Sequence, residues 1–264
     1  MSVRFLHITD THWSASSIAA GIDPAERLAQ LCDWIRAIPA PIDWIVHTGD
    51  VVHRGHISED DGASTRQAIA QLQSLPYPIH FVVGNHDHRR LWPELLGGLP
   101  GVPLSSERWA YHFVFGSERL VVLDGRDTLA IDPAGRLDDA QLQNLETLLR
   151  STGEPVSVFL HYPPLPLDCD WIDRTMLLSN GRELHALLAA HANRIRGVFF
   201  GHVHRPVTQV CQGVLYASAG SSTMLFPNLP NDAAAVTQPD AKPMANYVTL
   251  GDSGTLIKAL WGPD

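Results

Sequence analysis

Five short apolar runs in this chain each end on residue types that bind metal ions. RFLHITD ends at Asp10, with His12 two residues on, and DWIVHTGD ends at Asp50. HFVVGNHDH delivers Asn85, His86 and Asp87 together, VSVFLH ends at His161, and GVFFGHVH ends at His202 and His204. Oxygen and imidazole donors without thiolate suit Mn, Fe or Zn better than Ca or Cu(I). Nine such residues (three Asp, one Asn and five His) are too many for one ion and fit two. In two-metal sites the ions lie ~3.5–4 Å apart across a shared carboxylate, hold a hydroxide between them and clamp a phosphoryl group for in-line attack.

Something must carry these residues to one place. Open α/β sheets bind ligands just outside the carboxyl ends of their strands, and each apolar run reads as a buried strand. In the central run, His80 to Val83 is expected to be strand, with Gly84 permitting a sharp turn into Asn85. Asp23-Pro24-Ala25-Glu26 has the N-cap, the first-position proline and the N3 glutamate of a helix start. That helix should run to about Ile38 and bury Leu28, Leu31, Cys32 and Ile35. A second helix should turn Ile69, Leu72 and Leu75 inward, and a short one should span Leu91 to Leu96. WAYHFVF and ERLVVLD read as an antiparallel hairpin. Leu137, Leu142, Leu145, Leu148 and Leu149 mark a further helix, and GRELHALLAAH the last. The stretch HYPPLPLD excludes helix and should open a loop reaching Asn180-Gly181.

Strand–helix alternation followed by a strand-rich half predicts an α/β fold. The expected architecture is a four-layer αββα sandwich of two mixed β-sheets flanked by helices. No linker or repeat divides the 264 residues, so residues 1–264 are expected to form a single domain. Met224 to Ala245 has four prolines and no periodicity. Structureless segments of this length are usually lids, binding loops or disordered, so 224–245 is expected to be a lid or a subunit-contact loop, with disorder as the alternative.

A formal charge of −9 argues against a nucleic-acid polymer as partner, and bound cations would offset part of it. No apolar run approaches the ~20 residues of a membrane span, and the first strand leaves no room for a signal peptide. The three cysteines are widely spaced, without a CxxC pair, which suggests a reducing cytoplasm and no thiolate zinc site.

DTH, GD, GNHD, a lone His after a strand, and GHVH, in this order from Asp10 to His204, resemble the signature blocks of the calcineurin-like metallophosphoesterases. HYPPLPL and the chain length are similar to the class III cyclic nucleotide phosphodiesterases and the bacterial glycerophosphodiesterases among them. The resemblance implies that Asp10, His12 and His204 hold one metal, that Asn85, His161 and His202 hold the other, and that Asp50 bridges them. It implies His86 as the catalytic histidine, which contacts phosphate and protonates the leaving oxygen. Asp87 is expected to be a structural hydrogen-bond partner. His53 stands where the family often has Asp or Asn supporting that histidine, Arg54 matches an arginine that grips phosphate, and Tyr162 replaces a second histidine. His7 and His47 lie inside strands and are expected to be satisfied core histidines.

The function so implied is hydrolysis of small phosphodiesters, cyclic nucleotides or glycerophosphodiesters, using two ions of Mn²⁺, Fe²⁺/Fe³⁺ or Zn²⁺. A phosphomonoesterase would follow if Arg54 grips a dianionic phosphate. A scaffold that has lost its metals is disfavoured by the complete ligand set, and a nuclease by the acidic charge. The expected partner is a small phosphodiester, with no membrane, and the oligomeric state, homo-oligomer included, is left open.

Overall fold

Parallel strands joined by amphipathic helices begin the chain, as the early alternation requires. The computed structural model describes residues 2–15, 22–53, 62–127, 132–238 and 241–263. Strands β1 (Val3–Ile8), β2 (Trp44–His47) and β3 (Ile79–Phe81) pair in parallel, connected through α1 (Pro24–Ala37) and α2 (Ala63–Gln73). Asp23 caps α1 by accepting from the Ala25 and Glu26 amides at 2.9 and 3.2 Å, which satisfies two of its orphan donors. The helix buries Leu28, Leu31, Cys32 and Ile35, the face the sequence spacing gives. A short α3 (Trp92–Leu96) ends on Gly97 and Gly98, both with positive φ.

The second half builds a separate sheet. It contains β4 (Val102–Pro103), the hairpin β5 (Tyr111–Phe115) and β6 (Glu118–Val122), β7 (Val156–Phe159), β8 (Ile195–Phe200), β9 (Thr208–Cys211) and β10 (Val214–Ser218). Helices α4 (Asp139–Ser151), α5 (Asp170–Thr175) and α6 (Gly181–Ala189) accompany it, and β11 (Met244–Gly251) and β12 (Gly254–Trp261) return to the first sheet. Among the described residues the two sheets run β12-β11-β1-β2-β3 and β4-β5-β6-β7-β8-β10-β9. Both are mixed: β1, β2 and β3 are parallel, as are β6, β7, β8 and β10, and the remaining pairings are antiparallel.

Aromatic side chains hold the sheets face to face. Phe5 stacks on Trp44 at 4.3 Å from the first sheet, and Phe159 stacks on Phe199 at 5.4 Å from the second. Phe5 meets Phe159 and Phe199 edge-on at 5.7 and 5.2 Å. Each sheet's outer face is covered by helices: Leu28, Leu31, Ile69 and Leu72 on one side, Leu145, Leu149, Leu184 and Leu188 on the other. The αββα expectation is met.

Several local readings need correction. Leu75 lies beyond the end of α2 and Leu137 ahead of α4, although both are buried. Strand β3 stops at Phe81, although Val82 and Val83 stay buried and the Val82 amide still donates to the His47 carbonyl. The loop after His161 is irregular through its prolines but then forms α5. There the Asp173 carboxylate folds back to accept from the Leu167 and Cys169 amides. The proline-rich segment ends earlier than expected, because Met244 and Ala245 already belong to β11.

The aromatic interface between the sheets yields a prediction. Phe159→Ala should lower unfolding free energy by about 3–5 kcal/mol, measured by urea titration, as expected for an aromatic truncation in a core. A loss below ~1 kcal/mol would mean that the interface collapses around the gap and does not depend on this ring.

Candidate metal centre

All five loops that carry the candidate ligands leave the carboxyl ends of parallel strands (β1, β2 and β3 in one sheet, β7 and β8 in the other), so they meet at one rim. Their backbones are unusual. Asp10, His12, Asp50, His202 and His204 all have positive φ, between 45° and 73°. Among the described residues only two other non-glycine residues share that conformation, Asp168 and Gln212. Such geometry costs of order 1–3 kcal/mol per residue and persists where the surroundings over-determine it.

The loops are tied to one another first through their backbones. The Asp10 amide donates to Gly49 O and the His12 amide to Asp50 O, both at 3.0 Å, while the Gly201 amide donates to His161 O at 3.0 Å. Asp87 joins the loops after β2 and β3: its carboxylate accepts from the amides of Asp50 (2.9 Å), Val51 (2.9 Å) and Gly84 (2.8 Å). Gly84 is needed for a reason other than the expected turn. Its φ is not positive, and a Cβ there would overlap the Asp50 carboxylate.

Within this frame the donor atoms converge. One group comprises Asp10, His12, Asp50 and His204, and another Asp50, His161 and His202, all buried, with the ligand atoms of each group within 4.8 Å of one another. Asp50 is common to both. Its Oδ1 accepts from the His86 amide at 2.9 Å, while Oδ2 lies 3.6 Å from His12 Nε2 and 3.4 Å from His161 Nε2. Asp10 divides its oxygens similarly: Oδ2 accepts from Thr9 Oγ1 (2.7 Å) and the His202 amide (2.9 Å), and Oδ1 is buried with no hydrogen-bond partner. His202 Nε2 is likewise buried and unpartnered.

Two histidines have their tautomers set from behind. His161 Nδ1 donates to Thr48 O at 2.7 Å and His204 Nδ1 to Met224 O at 2.9 Å, which turns each Nε2 toward the centre. His204 Nε2 faces His12 Nε2 at 3.1 Å, and His161 Nε2 faces Asn85 Oδ1 at 3.1 Å. Unpaired buried donors, inward lone pairs and a shared carboxylate together fit a pair of divalent cations.

The electrostatics agree. Burial raises the Asp10 carboxyl to about 7, although His161 opposes it. Burial also opposes ionisation of Asp50, yet His161, His86 and His12 hold its carboxyl well below the usual range. Burial would lower the His161 imidazole, but Asp50 and Asp10 raise it to about 9. Burial depresses His12 and His202 strongly and brings His204 to about 3. Cations at the centre would favour ionised carboxylates and neutral imidazoles throughout.

The remaining predicted residues fall around this centre. His86 and His53 are only partly buried and stack at 5.6 Å, with His86 Nδ1 donating to His53 O. His53 Nδ1 also lies 3.5 Å from His12 Nδ1, so it reaches the first ligand group. Tyr162 is buried, with its ring edge-on to both His161 and His202 at 5.0 Å. Arg54 lies outside the described residues. His7 and His47 are half-satisfied: their Nε2 atoms bond Thr48 and Thr11 hydroxyls, while each Nδ1 lacks a partner.

A cavity of about 240 Å³ opens beside the centre. His12, Asp50, Asn85, His86, His202 and His204 form its polar side, and Trp171, Met176, Met224 and Phe226 its apolar side. Met224 and Phe226 belong to the segment expected to be a lid or a subunit-contact loop, but sequence reasoning missed Ser221 and Thr223, whose hydroxyls donate to the Asp10 carbonyl at 2.6 and 3.3 Å. The only signal for them was their place at the end of β10, parallel to β8.

A rim of parallel strand ends carrying clustered Asp, His and Asn around a shared carboxylate defines a metallohydrolase site of the phosphoesterase kind. The chain belongs to the calcineurin-like phosphoesterase family, whose model matches residues 3–206. It is 29% identical over 216 residues to a probable cyclic nucleotide phosphodiesterase of Rhodopseudomonas palustris, covering 80% of this chain and 75% of that protein. It is 30% identical over 214 residues to the glycerophosphodiester phosphodiesterase GpdQ of Enterobacter lignolyticus, covering 79% and 74%. A dimetal phosphatase from Danio rerio shares the fold, with a TM-score of 0.71 at 19% identity over 99% of each chain.

Metal uptake should release protons at neutral pH. The raised His161 imidazole is protonated there and Asp10 partly so, and both protons must leave when a cation binds. Apparent affinity for Mn²⁺ should therefore rise with pH from about 6 to about 9. Calorimetry in two buffers of different ionisation enthalpy reads the proton count; equal heats in both would contradict this charge assignment.

Proposed function

We propose that this protein is a dinuclear, divalent-metal-dependent phosphodiesterase acting on small diesters. The observation that carries the reading is Asp50 Oδ2, which faces a histidine of each ligand group at 3.6 and 3.4 Å. Asp10, His12 and His204 would hold one cation, Asn85, His161 and His202 the other, and Asp50 both. When bound, such a pair supplies Lewis acidity toward a phosphoryl oxygen and a nucleophile usable at neutral pH.

The chain's own residues account for the rest. The left-handed loop backbones and the Asp87 carboxylate hold the ligands in place before substrate arrives. His86 is anchored through Nδ1 on the His53 carbonyl and lines the cavity, where its other nitrogen would protonate a leaving alkoxide. The apolar side of the cavity suits the organic part of a diester better than the second anionic oxygen of a monoester. Relatives named for cyclic nucleotides and for glycerophosphodiesters support the same class. No helix among the described residues is long and apolar enough to cross a membrane.

Two substitutions test the assignment. Asp50→Ala should lose more metal than any other single ligand change, because both cations depend on it; near-normal loading of two ions by elemental analysis would refute the shared carboxylate. His86→Ala should retain metal and lose turnover by ~10²–10⁴-fold on cyclic AMP, the usual span for general acid catalysis. The loss should be smaller for bis(p-nitrophenyl) phosphate, whose leaving group needs little protonation. Equal losses on both would leave His86 with an electrostatic role only.

A further inference from the structure

Arg205 follows His204 directly but belongs to neither ligand group. Its guanidinium points the other way. Nε donates to Phe226 O at 2.7 Å and Nη2 donates to Gln238 Oε1. Leu225 and Gln238 form an antiparallel bridge, with the Gln238 amide donating to Leu225 O at 2.9 Å. Arg205 thus spans the neck of the loop 225–238 and holds its two sides together. The Arg205 carbonyl accepts from Ser218 Oγ at 2.5 Å, fixing the residue to the end of β10.

That loop supplies part of the apolar cavity wall. Phe226 and Ala235 line the cavity, and the Phe226 ring lies flat on His204 at 4.0 Å with an interplanar angle of 18°. Trp171, from α5, meets Phe226 edge-on at 6.0 Å and donates from Nε1 to Pro227 O at 3.2 Å. Met224, just before the loop, supplies the carbonyl that fixes the His204 tautomer. One short stretch of chain therefore shapes the wall and seats a proposed ligand.

We infer that Arg205 is a positioning residue for substrate selection: by closing the neck of 225–238 it sets Phe226 where an aromatic or apolar ester group would pack. The inference rests on the diesterase reading above. A planar fork is required, because the two acceptors are a carbonyl and an amide on opposite sides of the neck. An ammonium at the same position offers a point charge and cannot reproduce both bonds in that geometry.

The test compares Arg205→Lys and Arg205→Ala with the wild type by hydrogen exchange and kinetics, on metal-loaded protein of measured metal content. Amide exchange within 225–238 should accelerate in both variants. The KM for bis(p-nitrophenyl) phosphate should rise about fivefold more than that for methyl p-nitrophenyl phosphate, the equivalent of one aromatic contact. Gln238→Leu, which opens the neck from the other side, should reproduce both effects and keeps the test readable if the arginine variants fold poorly. Unchanged exchange in 225–238 would overturn the tie. Accelerated exchange with both KM values moving equally, or not at all, would overturn the selection role. Wild-type protein that cleaves neither diester would refute the diesterase reading itself, whereas the exchange measurement reads the tie without turnover.

Discussion

The Asp87 carboxylate is the interaction on which the rest of this site depends. Three backbone amides, from Asp50, Val51 and Gly84, all point at it from two different loops. A buried carboxylate that accepts several amide bonds satisfies donors that would otherwise each cost about 1–3 kcal/mol. Burial and the nearby Asp50 raise its own carboxyl to about 6, so the amides are what make its buried charge tolerable. With that carboxylate in place, Asp50 is held with Oδ1 on the His86 amide and Oδ2 facing the centre. The loop after β3 is also fixed, and with it Asn85 and His86.

The strain in the loops has the same origin. Two parallel strand bundles from separate sheets end at one rim, and their loops must turn sharply to bring side chains inward rather than past one another. Positive φ at Asp10, His12, Asp50, His202 and His204 is the local consequence. Asp and His tolerate that conformation better than most side chains, but it is uncommon for either, and five instances at one rim are many. A functional constraint is the physical reason to keep it. Gly201 has a related role: a Cβ there would overlap Thr9 Oγ1, so the loops after β1 and β8 pack without space for a side chain.

Much of this was legible in the sequence because the strand signal and the ligand signal coincide. An apolar run ending on Asp, Asn or His specifies both a strand and what its end carries, and RFLHITD and GVFFGHVH both did so. The two-sheet architecture followed from the change from strand–helix alternation to hairpins. What stayed hidden acts through groups that every residue possesses or through types common in any turn. Ser221, Thr223 and the carbonyls of Thr48 and Met224 position the centre, yet nothing in their identity marks them. The role of Gly84 was misread because close approach and tight turning both select glycine. Helix α5 was missed because the prolines before it masked a six-residue helix whose Asp173 ties back to the preceding loop.

The central claim is that two metal ions share Asp50. Electron paramagnetic resonance of the Mn²⁺-loaded protein tests it most directly, since ions ~3.5–4 Å apart couple through a common carboxylate. The account predicts an exchange-coupled dimanganese spectrum once two equivalents are bound. Only the six-line signal of isolated Mn²⁺ at full loading would contradict it.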